Sequence, residues 1–399
     1  PGDIQIKEST QTVSTFTRDS VAYLEDGTQV ASGVPRFEDG KFGKGVLIEE
    51  GTTNLDSDGS FESGSVPALT HENDGGDATY TNASVSDAWH GSRVLRNTIC
   101  IGGHSVRFFG VTINSTSVTC QGRIRKNDID NPWGGSPKNN ASIAVAIYLY
   151  DETAGVIVGT IASFASGALG SGSAVGSWFS FKATFAITSG HTYSWRVMGN
   201  SWEGQWLFDL DALMREAKPY ATTYHDSTRS PETLTIPTAG VIDTQEGTIA
   251  MWVKMGKNSS LAPSGVHDNY ISLNAGIWAI CQTNGQANAL HFIVGDTWGT
   301  STSVAVNITW DKGDWLYIVP KWDLPDISLT VYNFTKGTTA TATATGATYT
   351  ATPTLAHVNC GDGGQFSGYT NSIIDELRID KIARTDEEIA EWYNANAPS

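Results

Sequence analysis

The chain contains 42 aspartate and glutamate residues, so hydrolysis of a glycosidic bond by two carboxyl groups is the first chemistry to consider. Such a pair stands about 5 to 9.5 Å apart, and a Glu-x-Asp-x-Glu run would place three acids on one face of a strand. No such run occurs, and the acids of DELRID, residues 375–380, have other spacings. Glu203 and Asp209 both come from the segment WEGQWLFDLD and could still meet in space. We therefore expect a chain without catalytic activity, and glycan cleavage stays open as an alternative.

Two other hydrolytic chemistries also lack their motifs. The eight histidines form neither HExxH nor HxH, and no GxSxG marks a serine nucleophile. The formal net charge of −17 repels phosphate backbones and anionic lipid surfaces, which argues against nucleic acid as a partner. No stretch approaches the roughly 18 apolar residues of a membrane span, so we expect no membrane insertion. The acidity is compatible with Ca²⁺ held by oxygen ligands and with neutral sugars as ligands.

Tryptophan is the residue type that most favours a binding function, and the chain contains 13 of them. An indole ring stacks on the face of a pyranose, while polar side chains beside it bind the hydroxyl groups. Trp195 and Trp252 lie in alternating apolar strands and are expected in the core. The candidates for sugar binding lie in polar surroundings or in loops: Trp133, Trp178, Trp202, Trp206 and Trp298. For each of them, packing of the ring at the edge of a core is the alternative.

Alternation of side chains with a period of two runs through the chain and predicts strands. In SWFSFKATF, residues 177–185, Phe179, Phe181 and Phe185 point to one side. The same pattern predicts strands in HTYSWRV, ASIAVAIYLYD, GTIAMWVKM, ALHFIVGD, WLYIVPKWD and ISLTVYNF. The Thr/Ala-rich segment 337–354 is interpreted as small-residue strands around a turn. The short spacing of the strands indicates β-sandwiches, and 399 residues suit two domains.

One helix is predicted near the C-terminus. Thr385 as N-cap and Glu388 three residues later form a capping box, and Ile389, Trp392 and Tyr393 then make an apolar stripe. The four cysteines contain no CxxC pair. Cys100 and Cys120 could face each other across a hairpin, but buried thiols are the preferred interpretation.

The segment NSIIDELRIDKIARTDEEIAEWY, residues 371–393, resembles the closing strand and helix of laminin-G-like domains of the concanavalin-A-like superfamily. PRFEDGKFGKGVLIEEG, residues 35–51, resembles the first half of an earlier signature of that family. Its second half, ETLTIPTAGVIDTQEGTIAMWVK, begins only at Glu232. The resemblance implies a laminin-G-like sandwich split over residues 1–52 and 219–399, with residues 53–218 inserted. The first strand is expected to pair near IIDELRI.

The insert opens with TTNLDSDGSFESG and closes with WLFDLDALMREAKPYATTY, and these ends resemble those of jelly-roll carbohydrate-binding modules. In such modules an early Phe-Glu and a late Asp hold a structural Ca²⁺, so by resemblance Glu62 and Asp211 are the candidate metal ligands. A turn carboxylate and a strand-end carboxylate are the alternatives. Asp375 in IIDELRI could bind Ca²⁺ in the other sandwich, but a salt bridge to Arg378 or to an N-terminal residue is preferred. The predicted fold class is all-β, with two β-sandwiches, one a concanavalin-A/laminin-G-like sandwich with an inserted jelly roll, and a short C-terminal helix.

The segments RDSVAYLEDG, PRFEDGKFGKG, EEGTTNL and EAKPYATTYHDSTRSPETLTIPT are similar to segments of minor structural or tail proteins of bacteriophages that infect Bacillus-like hosts. This resemblance implies a virion protein, made in the host cytoplasm and acting outside the cell. Its expected partners are other virion proteins and a host cell-surface polysaccharide or cell-wall glycan. Repetition on the particle would raise the weak affinity of each site. A purely structural virion role, a glycan depolymerase and a bacterial surface adhesin stay open as alternatives, and so does formation of a homo-oligomer.

Overall fold

The computed structural model describes residues 14–72, 79–99, 105–127, 145–164, 169, 176–199, 208–359 and 366–396. These residues form mostly strands, together with a short 3-10 helix at Trp298–Thr300 and one α-helix, α1, at Asp386–Asn396. The strands follow from the alternation in the sequence, since successive side chains of a strand point to opposite faces.

In chain order the strands are β1 (Thr15–Thr17), β2 (Ala22–Tyr23), β3 (Gln29–Val30), β4 (Arg36–Asp39), β5 (Lys44–Ile48), β6 (Thr52–Thr53), β7 (Thr70–Glu72), β8 (Thr79–Ser84), β9 (Arg93–Ile99), β10 (Ser105–Ile113), β11 (Ser117–Lys126), β12 (Val145–Asp151), β13 (Val156–Phe164), β14 (Phe179–Ala186), β15 (His191–Gly199), β16 (Phe208–Glu216), β17 (Thr228–Arg229), β18 (Thr233–Pro237), β19 (Glu246–Lys254), β20 (Asp268–Leu273), β21 (Ile277–Gln282), β22 (Ala289–Gly295), β23 (Thr302–Asn307), β24 (Trp315–Asp323), β25 (Asp326–Asn333), β26 (Thr338–Ala344), β27 (Leu355–Val358), β28 (Gly368–Tyr369) and β29 (Ser372–Asp380).

The chain forms two compact units. The split unit comprises Pro1–Leu24, Val30–Gly51 and Ser230–Ser399, and the inserted unit comprises Glu25–Gln29 and Thr52–Arg229. The boundary predicted between residues 218 and 219 lies inside the inserted unit.

The segment after β16 folds back onto the inserted unit. This explains why the inserted unit extends to Arg229. Thr222 donates its main-chain N–H and its hydroxyl to the two carboxylate oxygens of Glu216, at 2.9 and 2.6 Å. Further along, Thr228 of β17 pairs with Thr53 of β6. The inserted unit therefore begins and ends with two strands that pair with each other.

Two sheets face each other in the described part of the split unit. One has the strand order β26-β25-β24-β19-β29-β5-β4, and the other has the order β1-β18-β27-β20-β21-β22-β23, with β28 parallel to β20. Their facing sides bury an apolar core that includes Trp278, Trp310 and Trp322. β1 pairs with β18 and not with β29, so the first strand does not lie where the sequence predicted it. β29 is already paired on both edges, with β19 and with β5, and Phe16 of β1 packs against this core from the edge of the second sheet.

The inserted unit also contains two sheets of five strands within the described residues. Their orders are β13-β12-β15-β10-β7 and β14-β11-β16-β9-β8, and all the pairs are antiparallel. The core between the sheets contains Phe181, Tyr193 and Trp195, whose alternation predicted their burial. The predicted fold class, all-β with two sandwiches and a short C-terminal helix, is confirmed.

Helix α1 begins with the predicted capping box. The Thr385 hydroxyl accepts the Glu388 N–H at 3.2 Å, and the Glu388 carboxylate accepts the Thr385 N–H at 2.9 Å. The stripe of Ile389, Trp392 and Tyr393 packs on the outer face of β19 and β24, where it joins the buried Trp252. This apolar contact holds a helix that would be too short to be stable alone.

Candidate functional site

Two tyrosines, Tyr148 and Tyr150, lie on the outward face of β12 in the inserted unit. The alternation in VAIYLYD turns Ile147 and Leu149 into the core, where they are 1% and 0% exposed. The tyrosines between them therefore point away from the core, and both are half-buried. β12 lies between β13 and β15, so its outward face is continuous with the faces of two neighbouring strands.

Two arginines lie beside these rings. Arg107 of β10 and Arg196 of β15 are directly opposite each other across the sheet, and Arg196 is also opposite Tyr148. Their guanidinium carbons lie 4.6 and 5.2 Å from the ring centroid of Tyr150, close enough for cation–π attraction. We call the surface formed by Tyr148, Tyr150, Arg107, Arg196 and Glu152 the tyrosine–arginine face.

Glu152, in the turn after β12, closes one side of the tyrosine–arginine face. Its Oε1 accepts a hydrogen bond from Ser194 Oγ at 2.7 Å, and its Oε2 pairs with Arg107 Nη1. Arg196 donates through Nε and Nη2 to Ser105 Oγ, at 3.2 and 3.1 Å. The face thus combines ring surface with hydrogen-bond donors and an acceptor, which is the combination that sugar recognition requires.

Sequence reasoning missed all five residues of the tyrosine–arginine face. A signal for part of it was present, because the alternation that buries Ile147 and Leu149 also places Tyr148 and Tyr150 on the opposite side of one strand. The arginines carried no such signal. Arg107 and Arg196 become neighbours only through the register of β10 and β15.

The second sheet of the inserted unit offers no comparable face along its central strand. Every residue of β16 is buried. The Asp209 carboxylate accepts hydrogen bonds from Arg96 at 2.8 and 2.9 Å and from Arg125 at 3.1 Å. Asp209 is therefore held in ion pairs, and Glu203, its suggested catalytic partner, lies outside the described residues.

Trp178, a predicted sugar-binding residue, is half-buried beside this second sheet. Its indole N–H donates to the main-chain oxygen of Asp87 at 3.0 Å. The guanidinium carbon of Arg125 lies 4.5 Å from its ring centroid. Since the guanidinium covers one face of the ring, only the opposite face is left for a sugar.

Three other predicted sugar-binding residues, Trp133, Trp202 and Trp206, lie outside the described residues, and their role stays a prediction. Cys100 also lies outside them. Its suggested partner, Cys120, is buried in the core of the inserted unit.

Trp298, the candidate in the split unit, lies in a cluster of three rings. Its ring centroid is 5.1 Å from that of His267, with the planes 21° apart, and 5.5 Å from that of Phe366. Its indole nitrogen is buried and has no hydrogen-bond partner among the described residues. Burial lowers the pKa of His267, and burial together with the nearby His267 lowers the pKa of His291 on β22. The Trp298 ring therefore packs mainly against the other two rings of this cluster.

The two predicted calcium ligands, Glu62 and Asp211, both reach the segment 90–93. Glu62 Oε1 accepts the N–H groups of Ser92 and Arg93 at 2.8 and 2.7 Å. Asp211 Oδ2 accepts the His90 N–H at 2.9 Å. Asp211 is 0% exposed, and burial raises its pKa to about 8 although these hydrogen bonds lower it.

The burial and the hydrogen bonds of Glu62 and Asp211 indicate whether these two carboxylates could hold a cation. Burial is what raises the pKa of Asp211, while His90 and Arg123 interact electrostatically with its carboxylate. A hard cation with oxygen ligands would add further positive charge there. Glu62 and Asp211 fit Ca²⁺ in charge and donor type, while amide N–H groups already use part of their lone pairs. Within the described ranges, no group of three or more His, Cys, Asp or Glu side chains is arranged to hold a metal, so further ligands would have to be other oxygens, such as main-chain or amide carbonyls and water.

Asp375 has a structural role in the split unit. Its carboxylate accepts the N–H of Phe42 at 2.8 Å and that of Glu376 at 2.9 Å. The preferred salt bridge to Arg378 does not form, because Arg378 pairs with Asp380 instead. Asp375 thus ties the turn between β4 and β5 to β29.

In the part of the chain that the structure describes, no helix has both the length and the apolar character needed to cross a membrane.

Residues 228–390 match the family model Laminin_G_3, described as the concanavalin A-like lectin/glucanases superfamily. No curated protein sequence matches the chain. Among solved structures, the receptor binding domain of botulinum neurotoxin mosaic serotype C/D is 12% identical, with 41% of this chain and 40% of that chain covered and a TM-score of 0.30.

Two further structures are similar to part of this chain. Tailspike protein 2 from Escherichia coli O157:H7 bacteriophage CAB120 is 10% identical, with 41% of this chain and 24% of that chain covered and a TM-score of 0.31. The CBM22-1 xylan-binding domain of Paenibacillus barcinonensis Xyn10C is 15% identical, with 42% and 96% covered and a TM-score of 0.26. The chain thus spans less than half of the neurotoxin domain and about a quarter of the tailspike. The family match covers 163 of the 399 residues, and nearly all of these lie in the split unit.

Proposed function

We propose that the chain binds a glycan at the tyrosine–arginine face, without cleaving it, as a virion protein that contacts the host surface. The observation that carries the binding proposal is the pair of outward tyrosines on β12 with Arg107, Arg196 and Glu152 beside them.

The chemistry of the face supports a sugar more than an apolar ligand. Aromatic rings contact the C–H surface of a pyranose, and the flanking guanidinium and carboxylate groups bind its hydroxyls. Ser105 and Ser194 are buried under these side chains and hold Arg196 and Glu152 in place. Such a preorganised polar surface costs less entropy when the ligand binds.

The test is binding of the purified protein to a glycan array and to host cell-wall polysaccharide. Tyr148→Ala should weaken binding by about tenfold, which corresponds to the loss of one stacking contact. Phe179→Ala is the matched control, because Phe179 is an exposed aromatic residue elsewhere on the inserted unit. No binding of the folded wild-type protein to any glycan would overturn the proposal and leave a purely structural role.

Absence of catalysis is part of the proposal and has its own test. Bound polysaccharide incubated with the protein should release no new reducing ends. Release of fragments would show that the chain is a depolymerase.

The virion role rests on the similarity of the four quoted segments to segments of phage tail proteins. It predicts that antibodies against the chain label intact particles, and that sedimentation of those particles removes the chain from a lysate. A chain found only on the bacterial surface would identify an adhesin instead.

Calcium is proposed at Glu62 and Asp211, where it would neutralise the buried carboxylate and join the two ends of the inserted unit. We expect Ca²⁺ to raise the melting temperature of the wild-type protein and a chelator to reverse this, with no response in Asp211→Asn. Asp375→Asn is the control in the split unit. An unchanged melting temperature in the wild-type protein would overturn this assignment.

A further inference from the structure

Strand β26 forms one edge of the seven-stranded sheet of the split unit. Among the described residues it pairs with β25 alone, over seven consecutive residue pairs without a register shift. In an antiparallel pair, every second residue turns its main-chain N–H and C=O away from the neighbouring strand. β26 therefore presents main-chain donors and acceptors along its outer edge, in a strand that contains neither proline nor a bulge.

The end of the sandwich to which β26 belongs is uncharged. Residues 337–354 contain no charged side chain, and neither do residues 297–310, which include β23. β23 is the edge of the facing sheet and lies against β26, and its Ser303, Ala305 and Asn307 are exposed. In a chain with a formal net charge of −17, this end offers little charge repulsion to a second copy.

The opposite edge of the same sheet shows the contrast. That edge is β4, which carries Glu38 and Asp39, and Asp39 pairs with Lys44 of the neighbouring strand. Charged side chains, prolines and bulges are the usual means by which proteins keep sheet edges from pairing with other chains. β4 is protected in this way, whereas β26 is not.

The Thr/Ala pattern of β26 is complementary to itself. Thr339, Thr341 and Thr343 are exposed, while Ala340 and Ala342 pack against the core on the other side of the strand. Antiparallel pairing of two copies about Thr341 places Thr339 opposite Thr343 and Ala340 opposite Ala342. Threonine then faces threonine and alanine faces alanine, so both faces of the joined sheet stay continuous.

We propose that two copies of this chain pair through β26 in antiparallel orientation, with a two-fold axis at Thr341. The two seven-stranded sheets then form one continuous sheet. Threonines opposite each other bind through their hydroxyls, as Thr330 and Thr341 do within one copy at 3.0 Å. The same surface patch serves both copies in a symmetric dimer, so no second kind of surface is required. This inference does not depend on the proposed glycan binding.

Sedimentation equilibrium of the full chain over a dilution series measures the dimer. We expect a monomer–dimer equilibrium in the wild type and a weakening of at least about tenfold in Thr341→Lys, because two lysines would face each other at the axis. Thr17→Lys is the matched control, since Thr17 is an exposed threonine on β1, the edge strand at the other end of the facing sheet. This variant should dimerise like the wild type.

A mixture of oppositely charged variants tests the symmetry of the pairing. Thr341→Lys and Thr341→Glu should each be largely monomeric, whereas their equimolar mixture should form a heterodimer, because lysine then faces glutamate at the axis. Recovery of the dimer in the mixture also shows that each variant is folded.

The possible outcomes are distinct. A wild-type protein that is monomeric at every concentration, or that forms an oligomer other than a dimer, overturns the proposal. A Thr341→Lys dimer as tight as that of the wild type overturns pairing through β26. A mixture that stays monomeric overturns the axis at Thr341.

Discussion

Asp56 and Arg215 form a buried ion pair that joins the beginning and the end of the inserted unit. Arg215 donates to Asp56 Oδ1 through Nε at 2.9 Å and through Nη2 at 2.5 Å, and both side chains are 0% exposed. The indole N–H of Trp195 donates to the other carboxylate oxygen at 2.9 Å. The pair thus also positions the largest ring of the core.

Replacement of Asp56 by asparagine should destabilise the inserted unit strongly. The variant leaves the Arg215 guanidinium buried without its counter-charge, which costs about 3 to 5 kcal/mol. Urea unfolding measures the loss. Asp39→Asn breaks an exposed pair with Lys44 and is the control, for which we expect no measurable change. Equal effects of the two substitutions would contradict the importance assigned to the buried pair.

Replacement of Gly256 by alanine should destabilise the split unit, because a Cβ there would lie 1.6 Å from the main-chain oxygen of Asn371. The backbone has to move, and overpacking of this kind costs about 1 to 3 kcal/mol or more. Gly299→Ala is the matched control, since a Cβ at Gly299 meets nothing within 4 Å. Thermal melting compares the two variants directly. An unchanged melting temperature in Gly256→Ala would show that the backbone near Asn371 accommodates the added Cβ without cost.

Removal of the helix cap should loosen α1. Thr385→Ala loses the hydroxyl that accepts the Glu388 N–H, at a cost of about 1 kcal/mol. Hydrogen exchange of the α1 amides should rise, while Thr385→Ser, which keeps the hydroxyl, should behave like the wild type. Unchanged exchange in the alanine variant would mean that packing of Trp392 and Tyr393 alone holds the helix.

Mild acid should weaken the split unit through His267 and His291. Burial lowers the pKa of both imidazoles, and the nearby His267 lowers that of His291 further. The unfolded chain therefore binds protons before the folded protein does, and stability is lost as the pH falls below the ordinary histidine pKa of about 6.5. The difference in urea midpoint between the wild type and His291→Gln should shrink from pH 7.5 to pH 5. A constant difference would contradict this assignment and leave other groups to explain any acid sensitivity.

Local patterns predicted the elements that depend on neighbours in the sequence. The alternation of Phe181 and of Trp195 placed these rings in the core, where they are buried, because strand geometry alternates sides without regard to the rest of the fold. The capping box at Thr385 formed as predicted, since its two residues are three positions apart. The Thr/Ala segment was predicted less well: β26 is a strand, but residues 347–354 after the turn form none.

Contacts between distant segments were not predictable in the same way. Asp375 was expected to form a salt bridge to Arg378 or to an N-terminal residue. Its carboxylate instead accepts the main-chain N–H of Phe42, more than three hundred residues away. Tryptophan was the ring type expected at a sugar-binding surface, so Tyr148 and Tyr150 were not predicted. Arg125 partly covers the Trp178 ring, and His267 stacks on the Trp298 ring. No spacing in the sequence predicted these two contacts.

By itself, the sequence determined the strand-rich class, the acidic character, the C-terminal helix and the sides to which most core residues point, because all of these follow from composition or from contacts within a few residues. Tertiary structure alone decided which strands pair and in what register. That register brought Arg107 opposite Arg196 and set both beside Tyr150. The reason is physical: pairing between strands is selected by burial of the whole core, and a shift of one residue would turn these side chains to the other face of the sheet.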